Sequence, residues 1–133
     1  MIYLAAPYSH QYAHVRAARF KRIKQATCQL MCAGDVVFSP VAYGYLMEEA
    51  AGKTMSHDYW MQFCLNIMPA CDRVYVLTLE GWDQSKGVAE EVKLAKRMGK
   101  PIIGYQNGDW CEDLTGWEIA KVILEERRLE TPE

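Results

Sequence analysis

A chain of 133 residues, 50% hydrophobic and 24% charged, has an ordinary globular composition and is long enough to bury a core without staples. Its net charge of −2 and pI near 5.9 argue against the clustered basic surface that polymeric nucleic acid requires. No apolar run approaches a membrane span, and the simplest organisation is one domain over residues 1–133.

The apolar run Ile2–Ala6 (IYLAA), closed by Pro7, predicts a buried strand. From Gln11 to Ala33, apolar residues recur at three- and four-residue spacing (Ala13, Ala17, Phe20, Ile23, Ala26, Leu30), which predicts a helix stopped by Gly34. Its dense basic run, Arg16 to Lys24, reads as a wet helix face rather than a polyanion site. Val36–Phe38 is a second short strand, ended by Ser39-Pro40. The segment from Val41 to Thr54 stays open between a helical turn with a loop and a lid carrying Tyr43, Tyr45 and Met47.

Ser56 is a good N-cap for a helix running to about Met68, ended near Pro69. Arg73–Leu79 (RVYVLTL) is the clearest strand. A helix from Ser85 to Met98, then Gly99, then a strand Pro101–Tyr105 follow. A last helix is expected from Cys111 or Leu114 to Arg128. Strands that alternate with helices and read as continuous apolar runs predict an α/β fold: a small doubly wound parallel sheet of four or five strands, covered on both faces.

The five cysteines, Cys28, Cys32, Cys64, Cys71 and Cys111, include no C-x-x-C pair, and apolar neighbours such as QLMCAG and PACDRV mark them as small buried hydrophobes. Reduced thiols and the lack of a leader-like segment predict a cytoplasmic location. His10, His14 and His57 do not assemble a metal site by spacing, and no cofactor motif is present: there is neither G-x-G-x-x-G nor G-K-[ST].

In open α/β sheets the ligand crevice lies at the carboxyl ends of the strands. Three loops fall there: PYSHQ at residues 7–11, SPVAY at 39–43 and GWDQSKG at 81–87. The last opens a helix, so Ser85 and Gly87 are either a plain cap or an anion-binding turn. At about 100° per residue, Val88, Val92 and Ala95 share a stripe, with Glu91 at its edge about 60° from Val88. Glu90 lies about 200° from Val88, which predicts a solvent-facing side chain. Glu91 therefore reads either as a crevice-facing nucleophile or stabiliser, or as a local helix-start cap.

The order IYLAAPYS, GDVVFSP, CDRVYVL, SKGVAEEVKLA and GKPII resembles the nucleoside 2-deoxyribosyltransferase superfamily, including its 2′-deoxynucleoside 5′-monophosphate N-hydrolases, over about Met1 to Tyr105. The resemblance implies cleavage of the N-glycosidic bond of a 2′-deoxynucleoside or its 5′-monophosphate, by hydrolysis or base exchange. It implies Glu91 as the nucleophile, in the pattern Gly87, Glu91, Ala95. Tyr3, Pro7, Tyr8 and Ser9 then line the sugar and phosphate end, with Ser39, Ser85 and Gly87 as further substrate contacts. It implies no cofactor, and a homodimer or higher oligomer, with Tyr43–Met47 and the segment carrying Trp110 and Trp117 either supplying that surface or packing internally.

One departure stands out. The superfamily's leaving-group aspartate maps to Cys64, counting back from Asp72, itself a strand anchor. Asp58 becomes the candidate acid, and His57 beside it, which shares Cys64's helical face, reads either as a substitute acid or as a surface or capping residue. Two other readings are a catalytically impaired nucleotide-binding or interaction module of the same fold, and an N-glycosidase of the cytokinin-activating phosphoribohydrolase kind. The second lacks its P-G-G-x-G-T signature here.

Overall fold

The computed structural model of the chain describes residues 1–106 together with the backbone of residues 110–113. Its elements are strand β1 (Ile2–Ala5), helix α1 (Ala13–Cys32), β2 (Val37–Phe38), α2 (Pro40–Ala51), α3 (His57–Ile67), β3 (Arg73–Leu77), α4 (Lys86–Arg97), β4 (Ile102–Gln106) and β5 (Trp110–Asp113). The sheet order is β2-β1-β3-β4-β5. β2, β1, β3 and β4 are mutually parallel, with Tyr3 opposite Phe38 on one side and Val74 on the other.

Alternation along β1 divides the core in two, because successive side chains point to opposite faces. Tyr3 and Ala5 join Val74, Val76, Val88, Val92 and Ala95 under α3 and α4. Ile2 and Leu4 join Ile23, Ala26, Leu30 and Leu77 under α1. The sheet is covered on both faces, a small doubly wound α/β fold. Among the described residues no helix is long and apolar enough to cross a membrane.

Helix starts follow local chemistry. Ser39, Ser56 and Ser85 each accept a hydrogen bond from the backbone N–H three residues on, at 3.2, 3.1 and 3.2 Å. Pro40 occupies the first position of α2, where its missing N–H costs nothing, so the open segment after Val41 is a helix. α3 ends as expected, just before the short 3₁₀ turn Met68–Ala70.

Two expectations are corrected. The last helix does not start at Cys111, because Trp110–Asp113 is a strand antiparallel to β4, pairing Tyr105 with Cys111. The outer edge of β4 otherwise leaves a row of backbone groups unpaired, and a short edge strand satisfies them. Leu114 to Arg128, including Trp117, lies outside the described residues. The second correction concerns the cysteines. Cys64 and Cys71 are buried, but Cys28 and Cys32 are exposed. They lie about 140° and 180° from Ile23 around α1, away from the sheet; the side chain of Cys111 lies outside the described residues.

α2 and α3 approach closely at Gly44, where an added Cβ would stand 2.7 Å from Trp60 Cη2. Gly44→Ala must push the indole or the helix aside, and overpacking of this kind costs about 1–3 kcal/mol. We expect a lower denaturant midpoint for Gly44→Ala at unchanged m-value; an unchanged midpoint would mean the helices separate freely.

Candidate functional site

Where the strand order reverses, between β1 and β3, the loops that leave their carboxyl ends part and open a wide crevice. The loop after β1 contributes Tyr8, Ser9 and His10 to it, and the segment after β3 contributes Glu80, Gly81 and Ser85. α1 lends His14, Arg19 and Arg22; α2 and α3 lend Tyr45, Glu48, His57, Trp60 and Cys64; α4 lends Gly87, Glu90 and Glu91.

Glu91 anchors the floor. Its Oε2 accepts a 2.5 Å hydrogen bond from the hydroxyl of Tyr3, a residue wholly buried in β1. The same hydroxyl lies 2.8 Å from Cys64 Sγ on α3. One hydroxyl carries one proton, and a carboxylate is a far better acceptor than a thiol. The Tyr3 proton therefore serves Glu91, and the Cys64 thiol is left to donate to the Tyr3 oxygen.

Burial pushes the Glu91 carboxyl up to about 7; the Tyr3 hydrogen bond works against the shift, and the charge of Glu90 adds to it. Burial likewise pushes the Cys64 thiol up to about 11, helped by the charge of Glu91. Tyr3 is pushed further above its usual range, first by burial and then by Glu91, so it remains a hydroxyl donor. Glu91 stands six residues past the Ser85 cap, beyond the first turn where the helix dipole acts, so burial sets its state.

Glu90 corrects the solvent-facing expectation. Its side chain is only 21% exposed, and Oε2 lies 3.1 Å from His57 Nε2 at the start of α3. Among the described residues that oxygen makes no aligned hydrogen bond. The helical wheel sees only α4, and the neighbour that takes Glu90 out of solvent is His57 in the first turn of α3. No sequence signal short of the α3–α4 packing would have found this pair.

The basic run of α1 is also more than a wet face. Arg16 Nη1 donates to the carbonyl of His10. Arg19 donates to the carbonyl of Ser9 at 2.9 Å and to that of Glu80 at 3.4 Å. One guanidinium thus bridges the two loops that frame the crevice. It passes so close to Gly81 that a Cβ there would meet Arg19 Nη2 at 2.7 Å, and Gly81 has φ +89°, a region open to glycine.

The other candidates separate clearly. Tyr8, Ser9, Ser85, Gly87 and Glu91 line the crevice, while Tyr3 touches it through Glu91. Pro7 is fully buried and does not line it. Ser39 is buried as the cap of α2, outside the lining. Asp58 is exposed in the first turn of α3 and also lies outside the lining, whereas its neighbour His57 lies inside it. Asp72 anchors the start of β3, its N–H donating to the Met1 carbonyl at 2.8 Å.

The lining divides by chemistry. Tyr45, Met55, Trp60 and Met61 make an aromatic and thioether wall, the kind of surface on which a planar ring packs. His10, His14, Arg19 and Arg22 line the same crevice, as do Ser85 and Gly87 at the start of α4, where a helix N-terminus favours an anion. Glu48, also in the lining, ties two residues of the aromatic and thioether wall together: its Oε2 accepts from Met55 N–H at 2.6 Å and from Trp60 Nε1–H at 3.3 Å. Among the described residues, no group of three or more His, Cys, Asp or Glu side chains is arranged to hold a metal ion.

No curated protein matches the chain. Residues 1–107, which take in the four parallel strands and the whole crevice lining, match the family described as a domain of unknown function (DUF1937), and the chain belongs to that family.

Proposed function

We propose that the protein cleaves the N-glycosidic bond of a 2′-deoxynucleoside or its 5′-monophosphate, with Glu91 as the nucleophile. The observation that carries this reading is the Glu91 carboxyl itself: half-buried on the crevice floor, held by Tyr3, with a pKa moved to about 7. Structural carboxylates are usually solvated or ion-paired, whereas a desolvated one in a cleft with a single oriented donor is the arrangement of a nucleophile. The order of motifs that resembles the nucleoside 2-deoxyribosyltransferase superfamily supports it independently, since Glu91 is the residue that order marks.

In this reaction a Glu91 oxygen bonds to C1′ as the C1′–N bond breaks, giving a 2-deoxyribosyl ester. Water or a second base then attacks C1′ and returns the electron pair to Glu91, which is the logic of a retaining glycosidase. Tyr45 and Trp60 in the lining offer surface for the planar base, and Arg19, Arg22, Ser85 and Gly87 in the same lining favour a substrate bearing a 5′-phosphate. Gly87 suits close approach, because a Cβ there would have only Ser85 Oγ nearby, at 3.9 Å.

Cys64, standing where that superfamily carries a carboxylate, favours one competing reading: a nucleotide-binding module without turnover. Incubation with a panel of deoxynucleosides and their 5′-monophosphates, read by chromatography of free base, decides between them. Released base, with a deoxyribosyl ester on the peptide containing Glu91 after acid quench, is expected. Tight binding without release would favour the binding module, and neither binding nor release would sink both.

A further inference from the structure

Resting on that reading, we propose that His57, oriented by Glu90, is the acid that protonates the departing base. A base expelled as an anion is a poor leaving group, and a positioned proton donor is worth about 10²–10⁴ in rate. The obvious positions do not supply one. The Cys64 thiol is buried, holds its proton up to about pH 11 and is engaged with the Tyr3 oxygen. Asp58 is exposed and outside the crevice.

His57 and Cys64 are seven residues apart on α3, close to two turns, so both face the crevice. His57, Met55 and Trp60 all line the crevice, and the His57 side chain is 62% exposed and so open to a ligand. Nε2 faces Glu90 Oε2 at 3.1 Å, which leaves Nδ1 as the nitrogen to donate to a base.

Glu90 supplies the independent observation. A buried carboxylate oxygen with no aligned hydrogen bond among the described residues is costly in isolation, and the His57 imidazole 3.1 Å away is the group placed to offset that cost. Adjacent positions on α4 therefore divide two tasks, Glu91 attacking the sugar and Glu90 holding the acid. As the C1′–N bond breaks, its electron pair stays on the base nitrogen, which takes the Nδ1 proton and leaves neutral imidazole against Glu90. In hydrolysis the attacking water returns a proton to that imidazole, its oxygen bonds to C1′, and the ester pair reverts to Glu91.

The test compares a deoxynucleoside 5′-monophosphate with 4-nitrophenyl 2-deoxyriboside, whose phenolate departs without protonation. His57→Ala is expected to lower kcat on the nucleotide about 10²-fold or more and on the nitrophenyl substrate under about tenfold, with added imidazole restoring part of the nucleotide rate. His57→Gln, which keeps a polar side chain but carries no acid, should behave like His57→Ala, and Glu90→Gln should show the same substrate split with a smaller loss. Equal losses on both substrates, or no loss, would overturn the assignment of His57 while leaving the glycosidase reading standing. Wild-type protein that cleaves neither substrate would overturn that reading and the acid together.

Discussion

Glu91→Ala is expected to reduce base release by about 10³-fold or more while leaving KM for the nucleotide nearly unchanged. Removing the group that forms a covalent bond to the reacting carbon costs transition-state stabilisation that ground-state binding does not share. No neighbour is poised to substitute. Glu90 is turned to His57, and the Cys64 thiol keeps its proton at any pH the reaction would run at. The Tyr3 hydroxyl, which now donates to Glu91, is not ionised there either. Steady-state kinetics of wild type and variant on one nucleotide check this, beside thermal melts that confirm folding. A loss below tenfold would mean that Glu91 does not attack the sugar.

The second large effect is on pH dependence. An attacking carboxylate must be ionised, so kcat/KM should rise with pH along a limb centred near 7, where burial has moved the Glu91 carboxyl. Tyr3 donates to the charged form and holds the value down, so Tyr3→Phe should move the limb upward as well as slow the reaction. A limb that stays at the same pH in Tyr3→Phe would separate it from Glu91.

The same shift has a sign for stability. A folded-state value of about 7 against an ordinary 4.5 means that the native protein binds this proton more tightly than the unfolded chain does. That contribution is complete below about pH 4.5 and lost as pH rises through about 7. Glu91→Gln removes the titration and should therefore stabilise the fold by about 1–3 kcal/mol at pH 8, with little difference at pH 5. Thermal unfolding at the two pH values measures it, and an inactive variant that melts higher is the signature of a site held at a cost to stability.

The parts of this architecture that depend on local chemistry were readable from residue order. Ser56 and Ser85 announced their helices, and Gly34 ended α1 as glycine in a left-handed conformation does, at φ +96°. Glu91 emerged from the wheel because the stripe Val88, Val92, Ala95 really does face the sheet. What escaped depends on which elements meet. Glu90 looked solvated because a wheel has no knowledge of α3, and Arg19 looked like surface because the carbonyls it holds belong to loops ten and sixty-one residues away. Asp58 and His57 are adjacent candidates in the sequence, and a displacement of one position around α3, about 100°, decides which of them reaches the crevice. The edge strand at Trp110 was hidden for the same reason: its hydrogen bonds are to β4 and not to itself.

The bridge made by Arg19 has a consequence for affinity. A crevice framed by two loops normally exacts a conformational entropy penalty when a ligand orders them, on the order of 1 kcal/mol for each side chain immobilised. Here the loops are already tied to one rigid helix through the carbonyls of Ser9 and Glu80, and glycine at 81 leaves the guanidinium room to reach both. A ligand entering the crevice meets walls whose spacing is set beforehand, so its binding free energy goes into contacts rather than into closing the mouth.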